Sequence, residues 1–105
     1  EPNETKPENV LLAVRGSPTD NSCQVFWGMS PINSADLLKK SSDKLKAVVD
    51  RLGDKITPDD IPEVHIRGDV NTPYRCVGGV IYTMQTAGFV KVGFVSQPTP
   101  GVAAQ

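Results

Sequence analysis

The stretch that decides the fold is VHIRGDVNTPYRCVGGVIYTMQTAGFVKVGFVS, residues 64–96. Where it begins, apolar Val64 and Ile66 alternate with His65 and Arg67 and with Glu63 just before the stretch, which predicts a strand with one wet face. A helical period follows, and it places one stripe on a single side of a helix: Tyr74, Val77, Gly78, Ile81, Met84 and Gly88. Alternation then returns in residues 90–95. The stretch therefore predicts a strand, a helix and a second strand.

Local signals mark both ends of this helix. Thr72 is a competent N-cap, and Pro73 suits the first helical position because its missing N–H would have been unpaired. Gly88 is expected to end the helix, with Phe89 folding back on Met84 as the hydrophobic contact of a Schellman motif. Close packing of the helix on the sheet is the explanation we give for Gly78.

Upstream, two apolar runs at 10–15 and 23–29 are separated by GSPTDNS, which predicts a β-hairpin. An amphipathic helix is then predicted over 34–52, capped by Asn33 or Ser34 and ended by Gly53. Its apolar stripe comprises Leu38, Ser41, Leu45, Val48, Val49 and Leu52. We expect residues 10–97 to form one domain, with 1–9 a flexible linker and 98–105 a flexible tail.

The element order is thus strand, strand, helix, strand, helix, strand. It predicts the α+β class, as a two-layer sandwich with both helices on one face of a mixed sheet. The other face is expected to carry Leu11, Phe26 and Val95 among polar residues. That face is a candidate for cover by a partner copy.

Composition excludes several classes of function. Eleven basic and twelve acidic side chains nearly cancel, so no broad positive field exists for a nucleic-acid backbone. The longest apolar run is residues 10–14, whereas a membrane-spanning helix needs about 20 residues. The chain begins at Glu1 without a signal-peptide pattern, and we expect a processed protein or a piece of a longer one.

No catalytic, cofactor or metal site is predicted. His65 is the only histidine and has neither a nucleophile nor further ligands in pattern. The acidic residues at 54, 59 and 60 lack the spacing of a calcium loop. Arg67, Gly68 and Asp69 match an integrin-binding tripeptide, yet the end of a strand and a turn explain all three. Asp69 is expected to accept backbone N–H bonds from the Thr72 region.

Two cysteines, Cys23 and Cys76, are too few for a disulfide framework or a zinc site. They permit one bridge at most. The sequence leaves open whether they form that bridge or remain two small buried apolar side chains.

The segment from Glu63 to Ser96 resembles the periplasmic domain of the ExbD/TolR family of biopolymer transport proteins, and an ExbD-like member is favoured. The positions that carry the resemblance are Arg67 and Asp69, Pro73 and Tyr74, Ala87 to Phe89, and Val90 to Phe94. Upstream of this segment the resemblance rests on element order.

The resemblance implies a non-enzymatic, homodimeric subunit of a proton-driven motor in the inner membrane of a Gram-negative bacterium. A missing N-terminal transmembrane helix would sit among ExbB- or TolQ-like channel subunits. The periplasmic domain would engage a TonB- or TolA-like protein, and TolR-type members also contact peptidoglycan. No nucleic acid is implied.

For docking, the strand bearing Val90, Val92, Phe94 and Val95 is the first candidate, since an unpaired edge can accept an added strand. The turn and partner-contact candidates are Arg67, Asp69, Pro73 and Tyr74. A second hypothesis is a small-molecule-binding regulatory module that uses the groove between the helices and the hairpin.

Overall fold

The computed structural model describes residues 9–17 and 19–97, which contain five strands and two α-helices. In chain order these are β1 (Val10–Gly16), β2 (Cys23–Trp27), β3 (Ser30–Ile32), α1 (Ser34–Leu52), β4 (Val64–Asp69), α2 (Tyr74–Ala87) and β5 (Val92–Gln97). Short 3₁₀ turns follow α1 at Gly53–Lys55 and Pro58–Asp60. Apart from Asn9, the expected linker and tail lie outside the described residues. No helix in this part of the chain has the length and apolar character needed to cross a bilayer.

The strands form one mixed sheet in the order β3-β2-β1-β4-β5. The β1–β2 and β2–β3 pairs are antiparallel, whereas β1–β4 and β4–β5 are parallel. Alternate residues of β1 and β4 are buried and form one core with side chains of both helices: Val10, Leu12, Val14, Val64 and Ile66 from the strands, and Leu37, Val80 and Met84 from the helices. The α+β, two-layer prediction is therefore confirmed.

The hairpin differs from its prediction. The run predicted as one strand over 23–29 stops at Trp27, because Gly28 has φ +62° and turns the chain. Three further residues, Ser30–Ile32, pair with β2 as an additional strand. Three residues are too few to show a period of two, and Pro31 is a residue that the sequence pattern counts against a strand.

The first helix has the predicted limits but a rotated face. Asn33 caps it by accepting a hydrogen bond from the Asp36 N–H, 2.8 Å away. Its buried residues include Leu37, whereas the predicted Leu38 and Val49 are exposed. The face is set by α2, against which α1 mainly packs.

The second helix begins one residue later than predicted, at Tyr74. Pro73 keeps extended geometry, with ψ 141°, and the Thr72 hydroxyl donates to Asp69 Oδ1 at 3.3 Å instead of capping the helix. Tyr74 is 92% exposed, so it is not part of the buried stripe. Gly78 is also exposed, and a Cβ on it would meet nothing within 4 Å. The explanation of Gly78 by close packing was therefore wrong.

The end of α2 matches the prediction. Gly88 is left-handed with φ 113°, the Gly88 N–H donates to the Gln85 carbonyl, and the Phe89 N–H donates to the Met84 carbonyl. These two bonds are those of a Schellman motif. Phe89 is buried in the core. The last strand, however, starts at Val92 instead of Val90, which is exposed.

Candidate interaction surface

The sheet face opposite the helices is the first feature of interest, and we call it the open face. Side chains alternate along a strand, so every second residue points away from the helical layer. The open face comprises Leu11, Ala13 and Arg15 of β1, Gln24 and Phe26 of β2, His65, Arg67 and Asp69 of β4, and Gly93 and Val95 of β5. The predicted apolar positions Leu11, Phe26 and Val95 all lie on this face.

Strand register brings these residues into rows across the sheet. Leu11, His65 and Gly93 form one row, and Ala13, Arg67 and Val95 form the next. Because Gly93 has no side chain, a shallow depression of about 430 Å³ opens beside it. Leu11 is 46% exposed and Val95 is 57% exposed, so apolar surface borders a basic centre.

The charged groups of this face differ in their pairing. His65 Nε2 lies 3.0 Å from Glu63 Oε1. The Arg15 guanidinium sits over the Phe26 ring, 5.3 Å from its centroid, in cation–π geometry. Asp69 Oδ1 accepts from the Asn71 N–H at 2.9 Å and from the Thr72 hydroxyl.

Arg67 stands apart from these pairs. It is exposed, and it has no hydrogen bond, ion pair or ring contact with any side chain in residues 9–17 and 19–97. Its neighbours across the strands are Ala13 and Val95, which offer no acceptor in their side chains. Arg67 therefore presents an exposed cation without an ion-pair partner among the described residues, in a row with Ala13 and Val95.

The two edges of the sheet are unequal. At one edge, β3 has only three residues and contains Pro31, which has no N–H to donate. At the other, β5 has six residues with no proline, and within residues 9–17 and 19–97 it pairs only with β4. The β5 edge is therefore the one suited to accept an added strand.

A second concavity lies on the helical side. It is an open groove of about 720 Å³ between the hairpin, the first turn of α1 and the first half of α2. Gly79 lines it, as do Arg75 and Asp36 at its polar margin. This is the groove named in the small-molecule hypothesis.

A disulfide forms part of this groove. It joins Cys23, the first residue of β2, to Cys76 in the first turn of α2, with the Cα atoms 5.5 Å apart. Beneath it, a Cβ on Gly16 would overlap the Pro73 ring and lie 3.2 Å from Cys76 Sγ. The start of α2 therefore presses closely against the end of β1, a contact that nothing in the pattern around Gly16 indicated.

The four turn and contact candidates do not form one site. Arg67 and Asp69 lie on the open face, whereas Pro73 packs against Gly16 and Tyr74 points outward from α2. The last-strand candidates divide as well. Val95 lies on the open face, while Val92 and Phe94 share the face of the buried Val64 and Ile66.

Within the described residues, no group of three or more His, Cys, Asp or Glu side chains is placed to hold a metal ion. The described residues thus define a small α+β domain with a bare sheet face and a long, proline-free edge at β5. The chain belongs to the family of biopolymer transport proteins ExbD/TolR, whose family model matches residues 1–99. The match includes the hairpin and α1, where the sequence patterns offered only element order. No curated protein shows significant similarity to the chain.

Proposed function

We propose that this chain is the periplasmic domain of an inner-membrane motor subunit, ExbD-like in role, that dimerises and couples proton-motive force to a TonB- or TolA-like protein. Family membership supports a part in energised biopolymer transport. The main support for partner docking is the β5 edge. It is long, free of proline and bordered by the exposed apolar side chains of Phe94 and Val95.

Edge addition suits a coupling domain because its affinity comes from backbone hydrogen bonds. An extended segment that pairs with β5 satisfies backbone groups that otherwise face solvent, and alternate side chains supply specificity. The same edge suits a second copy or another protein, so dimerisation and partner binding would compete for it. The sheet behind it is held by parallel pairing of β5 with β4 and of β4 with β1.

The strand order also suits the transmission of force. A membrane-anchored segment would enter the domain at the start of β1, where the Val10 N–H donates to the Glu63 carbonyl at 2.9 Å. From there the load passes to β4 and then to β5, since these three strands are parallel neighbours. Force along the strands loads many hydrogen bonds together instead of one at a time. The domain would act as a mechanical link, without chemistry of its own.

Channel subunits of the ExbB or TolQ type would then contact the anchor and not this domain. A TolR-like role would add contact with peptidoglycan. Asp69 supports the β4–α2 turn, and Arg67 presents a charge on the open face; we assign partner contact to this pair ahead of Pro73 and Tyr74.

The proposal is tested with Val95→Glu, which places a carboxylate beside the free edge. The matched control is Val49→Glu, another exposed apolar residue, which lies on α1 in the helical layer instead of on the sheet. Sedimentation should show concentration-dependent dimers for the unmodified chain and for Val49→Glu, and monomers for Val95→Glu. In cells, full-length protein with Val95→Glu should lose TonB- or TolA-dependent activity. Wild-type dimerisation and activity in Val95→Glu would refute the docking surface.

The groove on the helical side favours the second candidate function, a small-molecule-binding regulatory module, because it has a volume suited to small ligands. Thermal melting against a panel of metabolites separates the two. A coupling domain should show no shift. A saturable rise in Tm that is removed by Gly79→Leu would favour the regulatory module.

A further inference from the structure

The position of Arg67 sets a requirement for whatever covers the open face. A guanidinium that loses water without gaining a partner costs several kcal/mol, because burial of an unpaired charge is strongly unfavourable. The carboxylates nearest to it along the chain, Glu63 and Asp69, both have hydrogen-bond partners. Asp69 keeps its charge while it accepts these bonds, but no ion pair joins it to Arg67, so a molecule that covers this part of the sheet gains affinity by bringing an anion of its own.

We propose that Arg67 and the depression beside Gly93 take a carboxylate side chain of an extended, acidic and apolar segment of another protein, laid along the β5 edge. This inference rests on the proposed docking function and adds the chemistry of the partner. The segment would alternate glutamate with β-branched residues, so that glutamates face Arg67 and apolar side chains turn to the other side of the sheet.

The geometry admits this arrangement. A strand added beyond β5 lies about 10 Å from β4, twice the spacing of neighbouring strands. Arg67 and glutamate together can bridge that separation above Val95, because both side chains are long. Gly93 keeps the neighbouring row free of side chain, and a Cβ there would meet nothing within 4 Å.

Charge favours the acidic segment over a second copy of the chain as the molecule that covers the open face. A two-fold axis through the depression would bring Arg67 of one copy next to Arg67 of the other, with each His65 close by. Like charges that face each other across an interface are unfavourable. A second copy competes for the β5 edge, but the basic centre of the open face favours an acidic partner.

The experiment uses the isotopically labelled 105-residue chain and two capped heptapeptides. In one peptide valine alternates with glutamate, and in the other glutamine replaces each glutamate. We expect the acidic peptide to shift the amide resonances of His65, Arg67, Gly93 and Val95, with affinity that falls as salt rises. Arg67→Gln should weaken its binding about fivefold, or about 1 kcal/mol, while Arg51→Gln on α1 should leave it unchanged.

The possible outcomes distinguish docking at the β5 edge from the acidic character of the partner. If both peptides bind equally and Arg67→Gln has no effect, edge docking stands but the acidic-partner inference is overturned. If neither peptide shifts these resonances, or a soluble peptidoglycan fragment shifts them in place of the peptide, the inference is also overturned. The proposed function is judged separately, by the dimerisation and cellular activity of Val95→Glu.

Discussion

Loss of the Cys23–Cys76 disulfide should destabilise the domain more than most single contacts can. The bond closes a loop between residues 53 positions apart, which includes β2, β3, α1 and β4. In the chain-entropy treatment, a loop of this length restricts the unfolded chain by about 4 kcal/mol at 25 °C. A domain of this size has a total free energy of unfolding of roughly 5–15 kcal/mol. We therefore expect Cys23→Ala to remain folded, but with 2–4 kcal/mol less stability.

The assay is urea unfolding at 25 °C, followed by the fluorescence of Trp27, the single tryptophan. Cys23→Ala breaks the bond but keeps the Cys76 sulfur in its buried site, where Cys76 is 3% exposed. The midpoint should fall, and the m-value should rise, because an unfolded chain without the cross-link exposes more surface. Tm should drop by roughly 10–30 °C at 4–8 °C per kcal/mol.

Two controls distinguish the effect of losing the cross-link on stability from the effect of altered local packing. Wild-type protein held in a phosphine reductant should behave as Cys23→Ala does. The double variant Cys23→Ala with Cys76→Ala adds the loss of the buried sulfur, and it should cost only a further 1 kcal/mol or so. A total loss below 1 kcal/mol on breaking the bond, or a loss that appears only in the double variant, would refute the reasoning.

Three further predictions concern the β4–α2 turn, the helix α2 and the loss of stability at low pH. Asp69→Ala removes the acceptor of the Asn71 N–H. The variant should lose about 1 kcal/mol of unfolding free energy in urea and should show lower partner activity. An unchanged urea midpoint together with unchanged partner activity would contradict the role assigned to Asp69. Gly78→Ala should raise the free energy of unfolding by roughly 0.5–1 kcal/mol, because the new Cβ meets open space. Gly88→Ala should lower it by roughly 1–3 kcal/mol, because the φ of Gly88 is 113°. Calorimetry that ranks the two variants in the opposite order would refute the helix geometry. Hydrogen bonds from Ser22 hold the pKa of Asp20 below its ordinary value of 3.8. The ionised Asp20 therefore adds to the free energy of unfolding above that pH, and this contribution is lost as the pH falls through the lower folded-state pKa. Urea midpoints of wild type and Asp20→Ala should therefore converge on acidification, and a constant gap would exclude this assignment.

Features with local causes were predicted well. The limits of α1 at residues 34–52 follow from Asn33, whose side chain caps the first turn, and from Gly53, whose φ is 56°. The end of α2 follows from Gly88 and Phe89 in the same way. In each case the residues that decide the structure lie within a few positions of one another, and their preferences do not depend on distant partners.

The helix faces and the smallest strand were predicted less well. A period of 3.6 locates a buried stripe only to within about one residue, and on α1 this separates Leu37 from Leu38. On α2 the same uncertainty placed Tyr74 and Gly78 in the core, although both are exposed. The strand β3 exists because β2 lies beside it, since three residues centred on Pro31 have no strand pattern of their own.

The candidate surface shows the same division. Alternation along β1, β2 and β5 was enough to place Leu11, Phe26 and Val95 away from the helices. The register sets Arg67 between Ala13 and Val95 and leaves it without an acceptor. It depends on pairing between residues far apart in the chain, Ala13 with Arg67 and Arg67 with Val95. The contact of Cys23 with Cys76, and of Gly16 with Pro73, depends on how α2 lies across the sheet.

By itself, the sequence determined the α+β class, most of the element limits and the family, because periodicity, capping residues and short motifs act over a few residues. Only the tertiary structure decided the extra strand, the exposed faces of the helices, the isolated charge of Arg67 and the proximity of the two cysteines. These depend on pairing and packing between residues far apart in the chain, and local preferences do not encode the distance between such residues.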